Sequence, residues 1–139
     1  MHPCPPAAAG GKLRGMASEV GVVTVDDQPY FRVAAHDVIE ATPGFEPLGE
    51  ACSGEEALGL VDESRPELVL VDVRMPGMDG IETARRIRAA HPDVVVVLIS
   101  IEDPSNIPSD AQASGAAALV RKQDFKPSLL RDLWVTHGG

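Results

Sequence analysis

Cysteine and aromatic residues are scarce in this chain of 139 residues. The two cysteines, Cys4 and Cys52, lack the spacing of a metal site, and we expect both to be free thiols in a reducing compartment. One Trp, one Tyr and three Phe leave the core to aliphatic side chains. The composition therefore excludes a cysteine-ligated metal centre.

Basic residues are outnumbered, with 12 Lys and Arg against 21 Asp and Glu, for a net charge of −9. No basic run exceeds two residues, which argues against nucleic-acid binding by this chain alone because phosphate contacts need a basic face. The longest apolar run, Val94 to Ile99, is too short to span a bilayer, and the N-terminus does not resemble a signal peptide. We therefore expect a cytoplasmic protein that does not bind membranes.

The chain is long enough for one domain. Residues 1–18 are rich in Pro, Ala and Gly and show no periodicity, so they are predicted to be a disordered N-terminal tail. Residues 19–139 are predicted to form the single folded domain.

Five apolar stretches alternate with helical patterns from residue 19 onward. Pro29 is tolerated in the first turn of a helix, Ser53 opens a capping-box pattern, and Asp79 is a favourable N-cap. This alternation predicts a parallel sheet with helices on both faces. The predicted strands are Val20–Val25, Phe45–Ala51, Leu68–Val71, Val94–Ile99 and Ala117–Val120.

The fourth helix is the least regular part of this pattern. Pro104 and Pro108 interrupt the stretch from Glu102 to Gly115, and proline ends helices because it lacks a backbone N–H. A helix there is predicted to be confined to about Ser109 to Ser114.

Polar and charged residues end four of the five predicted strands. Asp26 and Asp27 follow the first strand, Asp72 the third, Ser100 the fourth and Lys122 the fifth. Because the carboxyl ends of parallel strands meet at one edge of a sheet, we expect all five to gather there. Taken singly, an Asp pair after a strand is commonly a helix cap and a lysine is commonly solvated. The prediction of a functional site therefore rests on all five residues meeting at the same edge of the sheet.

Three crowded carboxylates favour a divalent cation. Mutual repulsion would raise their pKa values, and Mg²⁺ relieves this repulsion while keeping positions for water and phosphate. Asp72 can act as a nucleophile toward phosphorus and form an acyl phosphate. Lys122 would neutralise the transferred oxygens, and the Ser100 hydroxyl would donate a hydrogen bond to one of them. These residues predict a Mg²⁺-dependent phosphoryl acceptor.

Four segments resemble the response-regulator receiver domains of two-component signalling: VDDQP, LVLVDVRMPGMDG, VLIS and GAAALVRK. The resemblance implies a flavodoxin-like (βα)5 fold with strand order 2-1-3-4-5. It also implies that Asp72 is phosphorylated by a partner histidine kinase, a phosphotransfer protein or a small phosphodonor, with no enzymatic activity beyond gaining and losing its own phosphoryl group. An unknown downstream protein would respond, and homodimer formation is left open.

The same resemblance implies a role for each site residue. Asp26, Asp27 and Asp72 would hold Mg²⁺ together with the backbone carbonyl of Arg74. Ser100 and Lys122 would contact the phosphoryl group and couple it to the signalling surface.

The chain also departs from the family pattern. Leu119 stands where receivers commonly carry Tyr or Phe, Ile101 replaces a small residue, and the fourth helix is interrupted by prolines. Gln123 replaces a common proline, as in receivers fused to helix-turn-helix DNA-binding domains, although the chain stops at Gly139 without such a domain.

Three rival interpretations follow. One is a receiver-like binding module that works without phosphorylation, which the departures motivate. Another is an aspartyl-phosphate phosphatase, although Arg74 stands where those enzymes usually carry a second aspartate. A flavin carrier is disfavoured because Asp26 and Asp27 occupy the loop where a cofactor phosphate needs backbone donors and no negative charge.

Overall fold

Aliphatic strands form the centre of the molecule. A computed structural model describes residues 19–138, apart from the side chains of Pro104 and Gln112. The strands are β1 (Val20–Val25), β2 (Phe45–Ala51), β3 (Leu68–Asp72), β4 (Val95–Ser100) and β5 (Ala118–Arg121). The α-helices are α1 (Pro29–Ala41), α2 (Gly54–Ser64), α3 (Gly80–Ala90) and α4 (Pro127–His137). The predicted tail, residues 1–18, lies outside the described residues.

The five strands form one parallel sheet in the order β2-β1-β3-β4-β5. The predicted flavodoxin-like strand order is therefore confirmed. In this order β1 and β3 are neighbours at the middle of the sheet, and chain direction places the carboxyl ends of β1, β3, β4 and β5 along one edge.

Each central strand contributes side chains to both faces of the sheet. In β3, Val69 and Val71 belong to the core beneath α2 and α3, whereas Leu68 and Leu70 belong to the core beneath α1 and α4. All residues of β1, β3 and β4 are buried, as expected for parallel strands covered by helices on both sides.

Side chains cap two helices at the edge where the strands end. The Oγ of Ser53 accepts a hydrogen bond from the Glu56 N–H at the start of α2, as the capping-box pattern predicts. The carboxylate of Asp79 accepts from the Glu82 N–H at the start of α3. These caps fix where the loops end and the helices begin.

Residues 101–117, which we call the β4–β5 segment, contain no α-helix. The predicted short helix at Ser109–Ser114 is a 3₁₀-helix, and a second 3₁₀ turn spans Pro104–Asn106. Two prolines remove backbone donors that an α-helix would need, and the short, tight turns that remain are typical of 3₁₀ structure. The (βα)5 pattern is therefore completed by four α-helices and this irregular segment.

Two further expectations can be compared with the structure. Cys52 is disulfide-bonded, so the prediction of a free thiol is wrong for this residue, and Cys4 lies outside the described residues. Within residues 19–138, no helix is long and apolar enough to cross a bilayer.

Candidate functional site

Three carboxylates meet where β1 and β3 end. Ligand oxygens of Asp26, Asp27 and Asp72 all lie within 4.8 Å of one another. Asp26 is completely buried and Asp72 is 5% exposed, whereas Asp27 is half-buried. Adjacent strands bring these residues together, because Val25 of β1 pairs with Val71 of β3 directly before the two acids.

The ammonium group of Lys122 lies among these carboxylates. Its Nζ is 2.6 Å from Oδ2 of Asp26 and 3.8 Å from Oδ1 of Asp72. The ring centroid of Phe31 lies 4.9 Å from the same nitrogen, in a cation–π contact. We call Asp26, Asp27, Asp72 and Lys122 the acidic pocket. The lysine side chain is 8% exposed, so it is a buried counter-ion and is not solvated.

Burial shifts the titration of Asp72. Desolvation, followed by the repulsion of the Asp26 carboxylate, raises the pKa of Asp72 from its usual 3.8 to about 7. Lys122 and a hydrogen bond from the Arg74 N–H lower this pKa only in part. The acidic pocket therefore disfavours a third negative charge, and a bound cation would favour the ionised form of Asp72 again.

The donor set of the acidic pocket fits a hard divalent cation. Each of the three aspartates offers one carboxylate oxygen to a common point. Mg²⁺ prefers such oxygens and retains positions for water and phosphate. Oδ1 of Asp26 accepts a hydrogen bond of 2.8 Å from the Gln28 N–H, which fixes the orientation of the carboxylate.

A close backbone approach holds Asp72 in place. The N–H of Gly80 donates to the carbonyl of Val73 at 3.0 Å, so the loop after β3 folds back onto the strand end. A Cβ built on Gly80 would overlap the backbone carbonyl oxygen of Asp72. Glycine is therefore required at the end of the motif LVLVDVRMPGMDG.

Ser100 lies on the same edge but outside the cluster of charges. It is the last residue of β4, is 1% exposed, and pairs with Arg121 of β5, the residue before Lys122. Its Oγ accepts a hydrogen bond of 2.9 Å from the Glu102 N–H. The hydroxyl hydrogen remains for a further acceptor, as a phosphoryl oxygen would require.

Arg74 connects the loop after β3 to the β4–β5 segment. Its Nε lies 2.6 Å from Oε1 of Glu102, and its Nη2 donates to the carbonyl of Asn106 at 3.4 Å. The side chain is 57% exposed, and the Arg74 N–H donates to Oδ1 of Asp72 at 3.4 Å. The role of its backbone carbonyl as a metal ligand stays a prediction.

One buried cation beside the pocket, Arg32, is not among the residues that the sequence pattern predicts for the site. Its Nη1 donates to the backbone carbonyl of Asp26 at 2.8 Å, and its Nε lies 3.4 Å from Oε1 of Glu50. The signal in the sequence is its helical spacing, which places Arg32 on the inward face of α1 with Ala35 and Ile39.

This fold and this edge define a class: a flavodoxin-like domain with an acidic pocket at the carboxyl end of its sheet. Comparison with known proteins identifies the family. The model of the response regulator receiver domain matches residues 22–133. The chain therefore belongs to the response regulator receiver domain family of two-component systems, in which the phosphoacceptor role is general and histidine kinases or phosphotransfer proteins are the usual partners.

Individual relatives agree with this assignment. The response regulator GacA of Pseudomonas viridiflava is 34% identical over 103 residues, which are 74% of this chain and 48% of that protein. The receiver domain of the response regulator NarL from Mycobacterium tuberculosis superposes with a TM-score of 0.79 at 32% identity, over 88% of this chain and 98% of that one. The chain spans about half the length of the curated relatives it matches.

The predicted likeness to receivers of DNA-binding regulators is also confirmed. A DNA-binding response regulator of the LuxR family from Staphylococcus aureus superposes with a TM-score of 0.75 at 26% identity, over 86% of this chain and 99% of that one. DNA binding is a property of that protein.

Proposed function

We propose that this chain is a phosphorylation-controlled signalling switch that takes a phosphoryl group on Asp72 in a Mg²⁺-dependent reaction. The observation that supports this proposal is the acidic pocket itself: three carboxylate oxygens within 4.8 Å of one another, with an ammonium group 2.6 Å from one of the carboxylates. A metal ion held by the carboxylates, together with the ammonium group of Lys122, would neutralise the charge that a phosphoryl group adds to Asp72.

The proposed transfer is a displacement at phosphorus. An Oδ atom of Asp72 forms the new O–P bond while the bond from phosphorus to the leaving group breaks, and the leaving group departs with the electron pair. The leaving group is the imidazole of a phosphohistidine or the carboxylate of a small acyl phosphate. Asp26, Asp27, Asp72 and the backbone carbonyl of Arg74 would hold Mg²⁺, which would supply positive charge near the phosphoryl oxygens.

Two side chains complete the site in this proposal. Lys122 is already desolvated between Asp26 and Asp72, so it can transfer its ion pair from Asp26 to a phosphoryl oxygen with a small movement. Ser100 donates its hydroxyl hydrogen while its Oγ still accepts from the Glu102 N–H. The movement of Ser100 toward the phosphoryl group would then reach the β4–β5 segment through Glu102.

We place this switch in the cytoplasm, with a histidine kinase or a phosphotransfer protein as donor and a protein as downstream target. Its chemistry would consist of gaining and losing its own phosphoryl group, without turnover of an external substrate. Residues 19–139 would form the receiver domain. A homodimer remains an alternative outcome of phosphorylation.

Intact mass spectrometry tests the proposal directly. The native chain incubated with Mg²⁺ and acetyl phosphate is expected to gain one phosphoryl group, and EDTA should prevent the gain. The Asp72→Asn variant, which keeps the size of the side chain, should gain none. An undiminished gain in Asp72→Asn, or none in the native chain, would contradict the proposal.

A second candidate is a binding module that acts without phosphorylation. The observation that favours it is the β4–β5 segment, where 3₁₀ turns replace an α-helix and Ile101 is 62% exposed. If the Asp72→Asn variant kept every partner of the native chain with unchanged affinity, this second function would replace the first.

A further inference from the structure

The site has a second buried cation, Arg32, whose contact with Asp26 differs in kind from that of Lys122. Lys122 pairs with the carboxylate of Asp26, whereas Arg32 donates to its backbone carbonyl. The first contact competes with a metal ion for a ligand oxygen. The second leaves both carboxylate oxygens untouched and constrains only the main chain.

Within the loop between β1 and α1 the Gln28 N–H donates to Oδ1 of Asp26 at 2.8 Å, and the other contacts of the Asp26 main chain come from neighbouring elements. Only three residues separate the end of β1 from the start of α1, and two of them, Asp26 and Asp27, are the proposed metal ligands. The N-cap of α1, Gln28, provides no side-chain hydrogen bond to the helix. The Asp26 N–H is bound by the carbonyl of Ala51 at 3.0 Å, and the Asp26 carbonyl is bound by Arg32 at 2.8 Å.

Arg32 is itself held from its other side. Its Nε lies 3.4 Å from Oε1 of Glu50 near the end of β2, and the residue is 7% exposed. The guanidinium is planar, so its hydrogen bond from Nη1 and its ion pair through Nε have fixed relative directions and connect α1, β2 and the end of β1. A lysine would have to reach both partners from a single nitrogen, whereas the guanidinium reaches them from two.

We infer that Arg32 is a positioning residue that holds the β1–α1 loop in the conformation that binds the metal ion, with Glu50 fixing its orientation. The inference rests on the proposed function, because it assumes a cation at Asp26 and Asp27. Groups that orient metal ligands from outside the coordination sphere commonly change metal affinity by 10- to 100-fold when they are removed.

The sign of the effect separates positioning from electrostatics. A guanidinium that acted only through its positive charge would repel Mg²⁺, so its removal would tighten Mg²⁺ binding. A guanidinium that orders the ligand loop has the opposite effect, and its removal weakens binding. Arg32→Met and Arg32→Lys distinguish the two, because the lysine keeps the charge and loses the bidentate geometry.

Calorimetric titration of the unphosphorylated protein with Mg²⁺ is the test, since it needs no phosphodonor. Arg32→Met is expected to raise the Mg²⁺ Kd roughly tenfold, Arg32→Lys to raise it by a smaller factor, and Glu50→Gln to raise it roughly threefold. Unchanged or tighter Mg²⁺ binding in Arg32→Met would overturn the inference. Should that variant fail to fold, Arg32→Lys decides in the same way, because the lysine keeps the positive charge.

Arg88 provides a matched control. It also lies on a helix and donates from Nη1 to backbone carbonyls, those of Pro92 and Val94, but at the end of α3 where the strands begin. Arg88→Met is expected to lower thermal stability and leave the Mg²⁺ Kd within about twofold of native. If the native chain itself bound no Mg²⁺, the proposed function would fail, whereas native binding with an unaffected Arg32→Met would refute only the positioning role.

Discussion

The acidic pocket and the β4–β5 segment lie on the same side of one sheet, yet they are built in opposite ways. The pocket stands on β1 and β3, in which every residue is buried, and Lys122 pairs there with the buried carboxylate of Asp26. The β4–β5 segment is largely exposed and is held by local contacts, such as the hydrogen bonds from Ser105 to the Asp103 carboxylate. One region is ordered by the core and the other by its own turns.

The packing around β5 explains the difference. This strand lies at the edge of the sheet, has four residues and is only half-buried. A groove of about 340 Å³ separates it from the 3₁₀-helix Ser109–Ser114, with Ile107, Ala111 and Leu119 among the lining residues. A segment with few buried apolar contacts can change conformation at low energetic cost. The acidic pocket on its buried strands is thus the rigid region, and the β4–β5 segment is the more easily displaced one.

Arg74 and Glu102 form the visible connection between the two regions. The Glu102 N–H binds the hydroxyl of Ser100, and the Glu102 carboxylate binds Arg74, two residues after Asp72. The pair is exposed, so its direct contribution to stability is small. Its importance would lie in transmitting a displacement of Ser100.

The largest expected effect comes from breaking the rigid region at Gly80. In Gly80→Ala the new Cβ would overlap the carbonyl oxygen of Asp72, and backbone cannot move aside as a flexible side chain can. We expect unfolding to become easier by about 3 kcal/mol, at the upper end for overpacked sites. Urea denaturation measures this loss.

Gly59→Ala is the control for Gly80→Ala. Gly59 lies inside α2 with open space around the position of a Cβ, so alanine should stabilise the helix by about 1 kcal/mol. Equal effects of the two substitutions would show that the loop after β3 is not tightly packed on Asp72.

The second prediction concerns pH and Asp72. The pKa of Asp72 is about 7 in the folded chain, whereas its ordinary value is 3.8. Between these pH values the folded state therefore binds more protons than the unfolded state, so stability falls as pH rises from about 4 to about 7. Asp72→Asn stays neutral throughout. In EDTA it should exceed the native chain by about 2 kcal/mol at pH 8 and match it near pH 4. A difference independent of pH would contradict the burial of an ionised Asp72.

Asp103 in the β4–β5 segment should respond in the opposite direction. The N–H and hydroxyl of Ser105 lower the pKa of Asp103, so its contribution to stability is present above its ordinary pKa and is lost as pH falls through the lowered value. Since Asp103 is exposed, Asp103→Asn is expected to change stability only slightly, with a loss at neutral pH that disappears in acid. Denaturation curves at pH 3 and pH 7 measure this change.

Much of the rigid region could be predicted from the sequence. Apolar runs such as Leu68–Val71 mark buried parallel strands, and a carboxylate directly after such a run must lie at the carboxyl edge. The bounds of β1 and β2 agree with the predicted ones, and the strand order follows from the family resemblance. Local patterns are enough to predict these strands because burial in the core requires apolar residues at their positions.

What the sequence could not predict depends on distances between side chains. The prolines located a short helix at Ser109–Ser114, but a missing donor does not distinguish a short α-helix from a 3₁₀-helix. Charged residues seldom lie on the buried face of a helix, and the burial of Arg32 is explained by its partners Asp26 and Glu50. Likewise, only the distances show that Lys122 lies closer to the carboxylate of Asp26 than to that of Asp72.

The fourth prediction concerns the Mg²⁺ affinity of the acidic pocket. In Lys122→Met the Oδ2 atom of Asp26 loses its ammonium partner and becomes available to a metal ion, and a repelling charge is removed. We expect the Mg²⁺ Kd to fall roughly tenfold, which corresponds to about 1.4 kcal/mol. Calorimetric titration at constant ionic strength provides the measurement. Weaker binding would mean that Lys122 orders the ligands more than it competes with the metal ion.

The smallest expected effect comes from filling the groove beside β5. Leu119 is half-buried and lines this groove, so Leu119→Phe can direct its larger ring into open space. We expect the free energy of unfolding to change by less than about 1 kcal/mol. Leu70→Phe, in the fully buried β3, makes the same exchange without such space and should destabilise the chain by about 1–3 kcal/mol. Chemical denaturation of both variants compares the two regions with one substitution. If Leu119→Phe destabilised the chain as much as Leu70→Phe, the surroundings of β5 would be as closely packed as the centre of the sheet. The β4–β5 segment would then have no room to move, although Leu119 is smaller than an aromatic residue.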